Sequence, residues 1–167
     1  SNIQPYGRLV WLNDAASAWV GFELDGSLVV RCGVPDVGGG QAFSLAQIAA
    51  EVLGVDVDRV AVHMGDSART PLAGTTTATR QLYMSGNAVH LACVELRDRV
   101  VGVVARELGL PGEALSMVEG SVAGAGSVVP IPEALAMCRR AGVAVHAHAT
   151  FFGPGGREVE RRLESDR

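Results

Sequence analysis

Residues 36–51 read Asp36-Val-Gly-Gly-Gly-Gln-Ala-Phe-Ser-Leu-Ala-Gln-Ile-Ala-Ala-Glu51, and residues 71–81 read Pro71-Leu-Ala-Gly-Thr-Thr-Thr-Ala-Thr-Arg-Gln81. In each stretch small residues stand directly ahead of an apolar-periodic segment. In the first they are Gly38, Gly39 and Gly40; in the second they run from Gly74 to Arg80. The first turn of a helix has backbone N–H groups without intrahelical acceptors, and the helix dipole points the same way. Small residues let an anion approach those donors closely. Two such helix starts near one another would suit a ligand with two phosphates, or a long cofactor lying across both.

The periodic segments flanking these loops decide the fold class. Within 42–53, Leu45, Ile48, Ala49, Val52 and Leu53 fall on one helical face, and Gly54 is a natural C-terminal stop. From about Leu82 to Leu108 the same period returns, with Val89, Ala92, Cys93, Leu96, Val100, Val103 and Val104 in one stripe and Gly109 and Pro111 behind it. This is the longest element and the expected spine of the core. Pro130-Ile-Pro132 opens a third, shorter helix to about Ala141, since proline is tolerated in a first turn.

Strands fill the remainder. Residues 16–24 and 27–32 read as a hairpin around Asp25-Gly26, where glycine accepts the positive φ of a tight turn. Val60–Gly65 is a short strand that ends in Asp66-Ser67. Ser116–Ala123 reads as a second hairpin or a kinked strand, with the bend at Glu119-Gly120, and Val143–Phe152 as a last strand with His146 and His148 on one face. Trp11 and Trp19 are expected to pack in or beside the sheet. The fold class is therefore mixed α/β: β-hairpins and a mixed sheet packed against one long and two shorter helices. Residues 1–156 are expected to form one domain and the charged tail 157–167 to fray. Strand order is not readable from the sequence.

Composition removes several functions. A chain of 167 residues with a net charge of −4 and scattered basic residues offers no nucleic-acid patch. No run of apolar residues reaches the length of a membrane span. Cys32, Cys93 and Cys138 are odd in number and widely spaced, so a cluster or zinc site held by this chain alone is not expected, and free thiols fit a reducing, cytoplasmic setting. His146 and His148 have metal-compatible spacing but no third ligand near in sequence. Asp66, Arg69 and Arg80 could form an ion pair that stiffens the second loop. Ser1-Asn2-Ile3 is no secretory signal, and the missing initiator methionine leads to the expectation of a piece cut from something longer.

Three familiar motifs are absent. Gly38-Gly39-Gly40-Gln41 is not followed by Gly-Lys-Ser/Thr, the glycine spacing is not that of a dinucleotide fold, and Gly65-Asp66-Ser67-Ala68 is not a nucleophile elbow. No strand–helix–strand unit with an acidic residue about 20 positions on is expected.

The order of pieces from Asp14 to Pro154 resembles the molybdenum-cofactor subunit of the xanthine dehydrogenase and aldehyde oxidase family. The carriers are the Asp25-Gly26 hairpin, the glycine loop, Gln47-Ile-Ala-Ala-Glu51, Leu53-Gly54, Gly65-Asp66, Thr70-Pro71, Gly74 to Arg80, Gly86-Asn87-Ala88-Val89 and Phe151-Phe152-Gly153-Pro154. The resemblance implies an oxidoreductase that hydroxylates a heteroaromatic ring or oxidises an aldehyde with oxygen from water. It implies molybdenum held by molybdopterin, in bacterial members as the cytosine dinucleotide, with iron–sulfur clusters and FAD on partner domains or subunits. By position, Gly39, Gly40 and Gln41 would lie near the metal end of the cofactor, with Gly38 also in the binding loop, and Thr76, Ala78, Thr79, Arg80 and Gln81 would line the pterin and phosphates. The family's Gly-Gln-Gly glutamine falls at Gly39, with Gln41 two positions on. The family's catalytic Gly-x-Gly-Glu segment does not occur in this sequence, so no catalytic residue is assigned and the chain alone is expected to be inactive. The alternative reading is a non-enzymatic relative that kept the scaffold and lost the cofactor.

Overall fold

The computed structural model describes residues 15–76 and 79–153; Trp11, Ala78 and the tail 157–167 lie outside the described residues. Strand β1 (Ala15–Phe22) and strand β2 (Leu28–Cys32) form the expected hairpin, antiparallel, with Trp19 opposite Arg31. The turn closes as its sequence predicts. Gly26 takes a φ of 82°, and the Asp25 carboxylate accepts the Ser27 N–H at 2.9 Å.

Helix α1 (Gln41–Leu53) carries the chain from β2 to strand β3 (Val60–Met64). β3 lies parallel to β2, with Val62 beside Val30. Parallel neighbours require a crossover, and α1 supplies it. The strand, helix and strand of this unit were each expected from the sequence; that β2 and β3 are parallel neighbours was not, since strand order is not readable there. The main sheet has the order β3-β2-β1-β7, closed by strand β7 (His146–Phe152) antiparallel to β1. β7 begins at His146 rather than Val143.

Helix α2 (Arg80–Leu108) starts at Arg80, slightly ahead of the apolar period, and stops where Gly109 turns left-handed at φ 66°. Its predicted stripe is wholly buried against β1, β7 and α1. Leu96 has no exposed surface, and burial of that kind stabilises by roughly 2 kcal/mol relative to exposure. On α1 the buried face is Leu45, Ala46, Ala49, Ala50 and Leu53, while Ile48 and Val52 are half-buried. The face is turned from the predicted stripe because α1 packs against α2 and β3 at once.

The second hairpin, strand β4 (Ser116–Val118) with strand β5 (Ser121–Gly124), bends at Glu119-Gly120 as expected. It does not join the main sheet. An additional strand, β6 (Ser127–Pro130), pairs with β5 to complete a separate three-stranded sheet, and helix α3 (Ile131–Arg140) follows directly. Pro130 thus ends a strand and precedes a helix in one step.

All three helices leave one face of the main sheet to Trp19, Arg31, His63, His146 and His148. Trp19 packs on that face: its ring lies over Gly21, where a Cβ would collide with it, while Arg31 sits 4.7 Å above the ring centroid and His146 stacks at 5.7 Å. Cys32, Cys93 and Cys138 are unpaired and buried, and burial pushes the Cys93 thiol up to about 12. No helix among the described residues is long and apolar enough to cross a membrane.

Candidate functional site

Because β2 and β3 run parallel side by side, their C-terminal ends reach the same edge of the sheet. The segment 33–40 leaves β2 at that edge and enters α1; the segment 65–79 leaves β3 there and enters α2. β1 begins and β7 ends at this edge as well, with Ala15 opposite Phe152. Open α/β sheets bind ligands outside the carboxyl ends of their strands. The two loops singled out in the sequence are therefore neighbours. The contact is direct: a Cβ on Gly33 would strike the backbone of Pro71 and Ala73, so only glycine lets the two exits pass this closely.

The glycine loop is exposed and held by local bonds. Gly38 and Gly40 have φ of 93° and 70°, in the region that favours glycine, and a Cβ at either would meet nothing within 4 Å. The requirement for glycine is conformational rather than steric. The Asp36 carboxylate accepts the Gly38 N–H at 2.9 Å, and Gln41 Oε1 accepts the Gly39 N–H at 3.1 Å. Gly40 caps α1, its carbonyl accepting both the N–H (3.0 Å) and the hydroxyl (3.1 Å) of Ser44.

The second loop is built from its buried end. Asp66 folds the first part: its carbonyl accepts the Thr70 N–H (2.8 Å) and hydroxyl (2.7 Å), and its carboxylate accepts the Ala68 N–H (3.0 Å). The ion pair expected there is Asp66 with Arg69, 3.7 Å apart at the surface, worth at most about 1 kcal/mol. Arg80 is 3% exposed and does something different. Its guanidinium donates to the carbonyls of Ala73 (3.2 Å), Thr75 (2.7 Å) and Ala15 (3.3 Å). Gln81, also 3% exposed, donates from Nε2 to the Pro35 carbonyl at 2.6 Å, on the segment that leads into the glycine loop. Thr79 is the exposed N-cap of α2.

Gly38, Gly39, Gly40, Gln41, Thr76, Thr79, Arg80 and Gln81 thus share one edge, and Ala78 falls outside the described residues. Two hydroxyls near this edge, Thr76 Oγ1 in the second loop and Ser85 Oγ on α2, are buried without a hydrogen-bond partner among the described residues. A buried hydroxyl left without a partner costs free energy. The Ser85 hydroxyl faces the Cys32 thiol at the end of β2, close enough to oppose the upward push that burial gives that thiol but outside the geometry of a formed hydrogen bond. The donor set fits a phosphate-bearing cofactor in kind: backbone N–H groups at two helix starts, small side chains, and an unsatisfied threonine hydroxyl. Asp36 and Ser85 were not picked out from the sequence. The Asp-x-Gly spacing of an Asx turn could have marked Asp36; nothing local marks Ser85, which gains meaning only where α2 crosses β2.

Other features lie apart. A groove of about 960 Å³ opens at the far end of α1, between Gln47, Glu51, Arg59, Glu119 and Pro132, and shares no residue with the loops. His146 and His148 are on the outward sheet face. Among the described residues no group of three His, Cys, Asp or Glu is placed to hold a metal ion.

Residues 2–163 match the family described as the molybdopterin cofactor-binding domain. The chain is 36% identical over 93 residues to the aldehyde oxidoreductase molybdenum-binding subunit PaoC of Escherichia coli, covering 56% of this chain and 13% of that one. It is 30% identical over 125 residues to the nicotine 6-hydroxylase large subunit of Paenarthrobacter nicotinovorans, covering 74% of this chain and 15% of that one. Among solved structures it resembles quinoline 2-oxidoreductase from Pseudomonas putida 86, with a TM-score of 0.76 and 25% identity over 83% of this chain and 19% of that one. The CO dehydrogenase of Oligotropha carboxidovorans shares the fold at a TM-score of 0.71 and 20% identity, covering 83% of this chain and 18% of that one. The chain thus spans only about a seventh of the length of these curated relatives.

Proposed function

The chain belongs to the molybdopterin cofactor-binding domain family, and from that premise we propose that it is the part of a molybdenum hydroxylase that grips the cofactor at the edge where β2 and β3 end. One observation supports this above the others. The parallel pairing of β2 with β3 brings two small-residue loops, each ending in a helix start, to the same edge of one sheet. Gly38, Gly39, Gly40 and Gln41 would hold one end of the cofactor; Thr76, Ala78, Thr79, Arg80 and Gln81 would frame the other. The glycine loop offers backbone donors once Asp36 and Gln41 give them up, and the Thr76 hydroxyl, without a partner among the described residues, gains one. The cofactor, in the cytosine dinucleotide form, supplies two-electron redox chemistry. The residues of this chain bind and orient it.

The longer protein is then an oxidoreductase acting on a heteroaromatic compound or an aldehyde, in the cytoplasm, with iron–sulfur and flavin domains or subunits as electron partners. The isolated chain has no Gly-x-Gly-Glu segment to deliver a general base, and should not turn over. The competing reading is a relative that no longer binds cofactor. It is favoured by Gly39, which stands where the family's glutamine would be, with Gln41 bonded back onto it.

Two measurements separate the readings. The longer polypeptide, purified from its source, should contain molybdenum and release CMP on acid hydrolysis; absence of both would establish the non-enzymatic relative. Calorimetric titration of the chain with CDP and ATP should favour CDP. Equal binding would indicate a generic nucleotide site.

A further inference from the structure

Gln81 and Arg80 are adjacent at the start of a 29-residue helix, so their side chains leave it about 100° apart. Each therefore reaches a different loop. Arg80 takes carbonyls of the second loop, at Ala73 and Thr75; Gln81 takes the carbonyl of Pro35, 46 residues earlier in the chain. The helix behind them is packed on β1, β7 and α1. The glycine loop has no such anchor. Within it, the bonds to Gly38 and Gly39 come from Asp36 and Gln41, two positions away at most. Gln81 ties the segment that enters this loop to the helix start that frames the second.

We propose that Gln81 is a positioning residue that fixes the glycine loop against the second loop from behind, through the Pro35 carbonyl, and thereby sets the spacing of the donors that face a pyrophosphate. Arg80 does the same for the second loop. Gln81 is then a latch between the two halves of the site rather than a wall of it. This inference rests on reading the edge as an anion site, and it adds which residue holds the two halves in register.

The test uses the whole chain with Gln81→Met, which keeps the volume and removes the donor, and Gln81→Lys, which keeps an N–H donor of similar reach. Amide hydrogen exchange by NMR is read at Gly38 and Gly39 and, as a reference, at Gly120, whose N–H is bonded to the Gly54 carbonyl at 2.6 Å away from the site. In Gln81→Met the two glycines should exchange about tenfold faster with Gly120 unchanged, the size expected for one buried hydrogen bond. Pyrophosphate, titrated into the same samples, should bind at least about threefold more weakly, and Gln81→Lys should recover most of both losses. Unchanged glycine exchange in Gln81→Met overturns the proposal. So does faster exchange that extends equally to Gly120, which would be a loss not confined to the two loops. A lysine variant that behaves like the methionine variant overturns the assignment of the donor. A wild-type chain that does not bind pyrophosphate overturns the reading of the edge instead, and the exchange result then decides the latch separately.

Discussion

At the start of α1 the backbone is exposed, Gly38 and Gly40 hold φ of 93° and 70°, and the side chains that take the turn's N–H groups are two residues away. At the start of α2 the work falls to two buried side chains, Arg80 and Gln81, whose partners lie up to 65 residues away. In sequence the two starts look alike, small residues ahead of an apolar period. Physically they differ. The first depends on a backbone conformation that only glycine adopts cheaply, so its cost lies in φ. The second depends on buried polar contacts, so its cost lies in satisfying carbonyls that have left water.

Removing Arg80 should break the comparison most visibly. Arg80→Met leaves the carbonyls of Ala73, Thr75 and Ala15 without their donor at a site that is 3% exposed. The expected loss is about 3 kcal/mol, a fall in Tm of roughly 6–12 °C by calorimetry. A Tm within about 2 °C of wild type would mean that the second loop holds itself and is not built from its buried end.

A smaller effect is expected from the exposed loop. Gly40→Ala meets no atom within 4 Å, so its cost is that of the left-handed backbone alone, about 1–2 kcal/mol in urea denaturation. Gly40→Asn should recover part of this, because asparagine tolerates that region better than alanine. If alanine and glycine were equally stable, the conformational account of the first loop would be wrong.

The smallest change sharpens the contrast. Thr76→Val removes a hydroxyl that is buried without a partner among the described residues, at nearly constant shape. Stability should stay within about 0.5 kcal/mol of wild type or rise slightly, while pyrophosphate binding weakens. A loss above about 1 kcal/mol would show that the hydroxyl is already engaged in the ligand-free chain.

The elements that could be read directly were those whose cause is local. Asp25-Gly26 specifies its turn because Gly26 carries the positive φ and Asp25 accepts the Ser27 N–H. Gly54 and Gly109 end α1 and α2 where they were expected to, each in the left-handed conformation. The α2 stripe from Val89 to Val104 is buried residue for residue. β6 escaped notice although Gly124 and Gly126 frame its entry turn, because Pro130-Ile-Pro132 reads as a helix start and hides the strand end it also forms. At the site, the two loops could be found from their small residues. The reach of Arg80 and Gln81 could not, since their acceptors are backbone carbonyls, which have no sequence identity.

Taken by itself, the sequence determined the helices, the first hairpin, the stops between elements and the two loops that carry the candidate site. These follow from periodicity and from φ preferences acting over a few residues. Only the tertiary structure decided that β3 lies parallel beside β2, that β7 closes on β1, and that both loops consequently leave one edge. Those choices rest on long-range burial: α1 must cover β3 and α2 together, and the Cys32 end of β2 must pass the loop that Arg80 holds. Such packing joins residues far apart in the chain, and no local pattern encodes which strands it will make neighbours.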